Sequence, residues 1–165
     1  TQWRGGIGAV LSESGTLNSI SVYLVEGINT ETVTTKAFIN DKDSVAANSH
    51  GQVVTASADL VITLTPAWFT INFTSQALSS DTYVVNVIGD ATDIDDSIGN
   101  FECIQYYHDV VASTASYYES QSFTSPESPW TEDDTNDIKF SIYATYTASG
   151  GSATPIYDEP IWYEE

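Results

Sequence analysis

Apolar and polar side chains alternate along this chain with a period of two, in short stretches closed by Gly, Asn, Asp and Ser. In residues 17–25, Ile20, Val22 and Leu24 fall on one face and Ser19, Ser21 and Tyr23 on the other, and Glu26-Gly27 closes the stretch. Residues 32–40 set Val33, Thr35, Ala37 and Ile39 against Thr34, Lys36 and Phe38, so the two stretches are expected to pair as a hairpin through a turn at 27–31. The polar run Asn40-Asp41-Lys42-Asp43-Ser44 is expected to end that pairing, with loop or a short helical turn through His50-Gly51.

Farther on, Leu60, Ile62 and Leu64 point inward from a strand over 60–65, and Pro66, which has no N–H, must interrupt its ladder. The alternation resumes over 68–74, with Phe69, Ile71 and Phe73 on one face and Thr70, Asn72 and Thr74 on the other. Strands follow at 83–88, 101–111 and 116–123, and the last clear one, 137–147, lines up Ile138, Phe140, Ile142, Ala144 and Tyr146. Seven to nine such strands in one unit predict an all-β, antiparallel β-sandwich with a jelly-roll-like order, because an open sheet leaves an apolar face wet. The unit spans 1–147; residues 148–165 form a C-terminal extension, in which Ala148-Ser149-Gly150-Gly151-Ser152-Ala153-Thr154-Pro155 is a flexible spacer before an aromatic and acidic tail.

Composition agrees: 13 Val, 14 Ile and 20 Thr against 6 Leu and no Met suit pleated surfaces and not helices. At 165 residues the chain can close its own core. Four basic and 23 acidic residues give a net charge of −19, which excludes nucleic acid and anionic membrane surfaces as partners, since both need a cationic footprint. It also suits saline surroundings. No apolar run reaches the roughly 20 residues that cross a bilayer, so membrane insertion is not expected. Thr1 reads either as a residue exposed by removal of an initiator Met or as a processing site, and the lone Cys103 leaves the redox compartment open.

The runs Gly15-Thr16-Leu17-Asn18-Ser19-Ile20-Ser21-Val22-Tyr23-Leu24, Trp68-Phe69-Thr70-Ile71-Asn72-Phe73 and Leu78-Ser79-Ser80-Asp81-Thr82-Tyr83-Val84-Val85-Asn86-Val87, then Trp130 and Asp137-Ile138-Lys139-Phe140-Ser141-Ile142-Tyr143, appear in this order. Together they resemble the jelly-roll modules, similar to carbohydrate-binding modules, that recur in bacterial surface proteins and phage structural proteins. The likeness extends from about Gly15 to Tyr143 and lies in core patterns and turn residues. It implies a non-catalytic module in an extracellular or virion assembly, often near glycan. The chain departs from a sugar-binding module in showing no obvious row of exposed aromatics.

Two kinds of chemistry are legible. The acidic stretch 90–100 could curl so that Asp90, Asp93, Asp95 and Asp96 converge on a structural Ca²⁺, although its spacing is not that of an EF-hand and charge runs of this kind are more often simply a solvated acidic loop. The loop 130–137 has the same ambiguity, and no other cofactor is called for. Tyr106, Tyr117, Trp130, Tyr157, Trp162 and Tyr163 lie where the alternation weakens, and their rings suit a glycan, a protein partner or the capping of the sandwich ends. Asn72-Phe73-Thr74 is a formal glycosylation sequon. Cys103 and His108 are five apart and fall on opposite faces of a strand, and His50 and His108 read as surface or loop residues, so no enzyme is expected.

Two functions follow as expectations. The first is a structural or assembly protein of a virion or extracellular surface appendage, acting through contacts with copies of itself or other structural proteins, the tail from Pro155 onward among them. The second is a carbohydrate-binding module for surface glycans.

Overall fold

The computed structural model describes residues 2–25, 30–46, 49–90, 105–106, 108–110, 116–131, 134–136, 138–150 and 153–156. Among them are fourteen strands and no helix. The first six are long: β1 (Gln2–Leu11), β2 (Gly15–Val25), β3 (Glu31–Ala46), β4 (Ser49–Ile62), β5 (Ala67–Leu78) and β6 (Asp81–Gly89). The rest are β7 (Gln105–Tyr106), β8 (His108–Val110), β9 (Ser116–Gln121), β10 (Trp130–Thr131), β11 (Asp134–Asn136), β12 (Ile138–Phe140), β13 (Ile142–Ala148) and β14 (Ala153–Ile156).

The larger sheet runs β10-β4-β3-β6-β1-β9-β11 and the smaller β14-β13-β2-β5, with β7 also beside β2 and β8 paired to β12. Every pairing is antiparallel, and the two sheets enclose a shared core without closing into a barrel, as the alternation requires of an all-β sandwich. Ile7, Ala9 and Leu11 of β1, Val33, Ala37 and Ile39 of β3, and Tyr83, Val85 and Val87 of β6 meet Ile20, Val22 and Leu24 of β2, Ile71 of β5, and Ile142, Ala144 and Tyr146 of β13. Fully burying each Val, Leu or Ile contributes about 1.5–3 kcal/mol.

Several expectations need correction. The stretches at 17–25 and 32–40 do not form a hairpin, because β2 and β3 lie in different sheets; β3 instead pairs with β4. The polar run at 40–44 does not stop the strand. β3 continues to Ala46 and β4 begins at Ser49, since a hairpin arm that is solvated at its tip has no need of apolar alternation. Leu64 is 54% exposed, as β4 ends at Ile62 before the Pro66 break. The stretch 137–147 is divided at Ser141 into β12 and β13, which pair with different partners. At the chain's end, β14 pairs with β13 from Ala144↔Ile156 to Thr147↔Ala153, so Pro155 lies within this sheet.

One strand is buried on both faces. From Tyr83 to Gly89 every residue of β6 is buried, because Val84, Asn86 and Ile88 face away from the core yet are covered. After β9 the chain crosses the outside of the larger sheet: Phe123 packs on Phe38 and Ile88, and β10 then pairs with β4 opposite His50. Lys36 fastens this crossing, its Nζ donating to the Phe123 carbonyl at 2.7 Å and lying 4.2 Å from the ring centroid. Gly6 lies opposite Asn86, where an added Cβ meets the Asn86 Cβ at 2.5 Å and the Val85 carbonyl at 2.6 Å, so this close approach demands glycine.

Two substitutions test this packing in urea denaturation. Ile71→Ala, at a fully buried position opposite Ile20, is expected to cost about 2–5 kcal/mol. Gly6→Ala is expected to cost about 1–3 kcal/mol through overpacking. A loss below 0.5 kcal/mol in either variant contradicts the register that places them.

Candidate functional site

The outward face of the smaller sheet carries an arrangement that follows from strand parity. β2 sits between β13 and β5, so outward residues fall into rows: Tyr23 opposite Trp68; Tyr143, Ser21 and Thr70; Thr145, Ser19 and Asn72. The hydroxyls of Ser21 and Thr70 are 2.8 Å apart and those of Ser19 and Thr145 2.6 Å apart, while Asn18 Nδ2 donates to Thr147 Oγ1 at 3.0 Å. A bulge at Asn18 keeps Leu17 and Ile20 both inward despite their odd spacing.

Three rings gather at one end of this grid. Trp68 lies 5.2 Å from Tyr23 and 4.9 Å from Tyr143 between centroids, tilted in the first pair and edge-on in the second. Trp68 is 42% exposed and the tyrosines are half-buried. The rings converge from both sides of β2, which accounts for Ser21 being only 2% exposed although it points outward. Among the described outward positions on β2, β5 and β13 none is ionisable near neutral pH, in a chain of net charge −19. A flat, neutral surface of rings and hydroxyls can stack on the C–H face of a sugar ring and hydrogen-bond its hydroxyl groups. No nucleophile and base are brought together on it.

Of the aromatic residues singled out from the sequence, Tyr106 reaches this sheet, in β7 opposite Leu24. Tyr117 is in β9 opposite Gly6, and Trp130 is in β10 opposite His50, both in the larger sheet. Tyr157, Trp162 and Tyr163 lie outside the described residues. Sequence reasoning missed the trio itself, although the signal was present: Tyr23 shares its face with Ser19 and Ser21, and Trp68 has the parity of Thr70 and Asn72.

The acidic stretch is described only at Asp90, whose N–H donates to the Thr34 carbonyl at 2.9 Å; Asp93, Asp95 and Asp96 lie outside the described residues. Among the described residues no three or more His, Cys, Asp or Glu side chains are grouped to hold a metal.

His50 is a correction, for it is completely buried. It belongs to a polar ladder on the outer side of the larger sheet: Asn86 Nδ2 donates to Asn40 Oδ1 at 3.1 Å, Asn40 Nδ2 donates to the His50 carbonyl at 3.0 Å, and the Asp43 N–H donates to His50 Nδ1 at 3.0 Å. Asp43 takes φ 52° to do so. These bonds satisfy buried polar groups that are costly to leave unpaired, so the ladder fixes the β6-β3-β4 register.

No protein-family model matches the chain, and comparison with curated proteins and with solved structures gives no match.

Asp41 and Tyr83 are paired in register near Asp81. Burial, then the Asp81 charge, raises the Asp41 carboxyl above its ordinary value; burial, then Asp81 and Asp41, raises the Tyr83 hydroxyl, which donates to the Ser79 carbonyl at 3.0 Å. A carboxyl raised in the folded state holds its proton longer there than when unfolded, so stability is lost as pH rises through the folded value. Asp41→Asn is therefore expected to flatten the fall in thermal midpoint as pH rises above the ordinary carboxylate range and to raise the midpoint at pH 7. A midpoint lowered at pH 7 contradicts this assignment.

Proposed function

We propose that this chain is a non-enzymatic binding module of an extracellular surface or virion, and that the outward face of its smaller sheet takes a neutral polysaccharide. The observation that carries this reading is the cluster of Tyr23, Trp68 and Tyr143 beside the hydroxyl grid of Ser19, Ser21, Thr70 and Thr145. It provides the exposed aromatic surface that strand patterning alone left unplaced. Neutrality of the face argues for an uncharged polymer, since the remaining charge of the chain repels uronic acids and sulfated glycans. The site needs no cofactor; a structural Ca²⁺ held by Asp90, Asp93, Asp95 and Asp96 remains a separate proposal, tested by a shift of the melting midpoint on adding Ca²⁺.

A second reading is a structural protein that assembles with copies of itself. It is favoured by the edge of β4, along which residues 52–62 pair with no described strand other than β3.

Retention of the protein on insoluble glucan, mannan and xylan, against an acidic polysaccharide as control, tests the first reading. At least one neutral polymer is expected to retain it. Trp68→Ala is expected to weaken that binding by about 2 kcal/mol, about thirtyfold, with the melting midpoint little changed. Retention on none of these polymers, or binding indifferent to both Trp68→Ala and Tyr143→Ala, rules the reading out.

A further inference from the structure

Sheet edges are normally protected by lysine, proline, bulges or shortness, because an exposed row of N–H and C=O groups recruits another strand. The two edges on the open side of this sandwich differ. In β5 the ladder to β2 breaks between Asn72 and Gln76, and Ser75 adopts φ 35°, so that edge is bent. In β4 the ladder to β3 is unbroken from Val54 to Ile62, with no lysine or proline. Its inward residues Val54, Ala56 and Ala58 are only partly buried, as are Phe69 and Phe73 of β5 facing the same core, so the core is incompletely closed on this side. On the outward side Val53 and Val61 are 39% and 56% exposed.

We propose that this edge pairs antiparallel with the same edge of a second copy, about a two-fold axis at Ser57, extending the larger sheet across both molecules. The proposal deepens the assembly reading and is independent of the carbohydrate face. Self-complementarity selects the occupant: residues 53–61 read nearly alike in both directions about Ser57, and their one ionisable group is Asp59, so two copies can meet along this edge without opposing like charges. Charge selects the register. Centred at Ser57, the pairing sets Val53 opposite Val61, Val54 opposite Leu60, Ala56 opposite Ala58, and Asp59 opposite Thr55, with the two Asp59 carboxylates held apart. Centring at Ala58 brings the Asp59 side chains to diagonal neighbours, and centring at Ala56 sets Asp59 against Val53. Asp59 also accepts from Thr34 Oγ1 at 2.9 Å, which keeps it on its own chain.

Cysteine pairing in the full chain with Cys103→Ser tests this. Directly opposed Cα atoms of an antiparallel pair lie about 4.5–5.5 Å apart, within disulfide reach, whereas residues four positions out of register are about 13 Å apart. Mild oxidation is expected to give a covalent dimer of Ser57→Cys and none of Thr55→Cys alone, while a mixture of Thr55→Cys and Asp59→Cys chains cross-links. In sedimentation at 0.5 M salt the unmodified chain is expected to dimerise, and Thr55→Asp, which sets carboxylates opposite each other, is expected to weaken the dimer at least tenfold while Thr55→Lys does not. A unmodified chain that stays monomeric at 1 mM overturns both this proposal and the assembly reading. A dimer that ignores Thr55→Asp, or cross-links through Thr55→Cys alone, overturns this interface and leaves assembly by another surface standing.

Discussion

The placement of β2 between β5 and β13 is the constraint on which the rest depends. One strand supplies both faces of the smaller sheet: Ile20, Val22 and Leu24 enter the core, and Ser19, Ser21 and Tyr23 build the outward grid. Because the side-chain period is two, a slip of one residue exchanges these sets and destroys core and surface together. The bulge at Asn18 is what lets Leu17 rejoin the core after that shift in parity. The hydroxyl pairs Ser21 with Thr70 and Ser19 with Thr145 lock β2 to a neighbour on each side.

The larger sheet is fixed differently. Its central strand β6 has no solvated face, so its outward Asn86 must be satisfied by protein, and it is, through Asn40 and the backbone of β4 beside His50. Apolar cover from Phe123 and the Lys36 clasp close the same face. The centre of that outward face, over β6, is thereby covered by the chain itself, while the outward face of the other sheet keeps Trp68 in solvent.

Much of this was legible in the sequence. The all-β class and the inward residues of β2, β3, β5 and β13 follow from alternation, because half-buried strands must alternate, and the break at Pro66 follows from its missing N–H. Partner choice did not follow, since sequence neighbours 17–25 and 32–40 go to different sheets and period two says nothing about which sheet a strand joins. β1 escaped notice because Gly5, Gly6 and Gly8 dilute its pattern, Gly6 being required by the approach of Asn86. The polar residues at 40–50 resembled a loop, but three of them, Asn40, Ser49 and His50, are buried among hydrogen bonds. The aromatic trio was hidden for a related reason: Trp68 and Tyr143 are remote in sequence, and only the register across β2 brings their rings together.

Hydroxyl-radical footprinting of the folded chain, with and without a neutral polysaccharide that retains it, tests the central claim directly. Trp68, Tyr23 and Tyr143 are expected to be oxidised in the free protein, with buried Phe38 and Tyr146 spared, and the trio is expected to become protected when the polymer is bound. Protection elsewhere with Trp68 unchanged, or a Trp68 that resists oxidation in the free protein, contradicts the account.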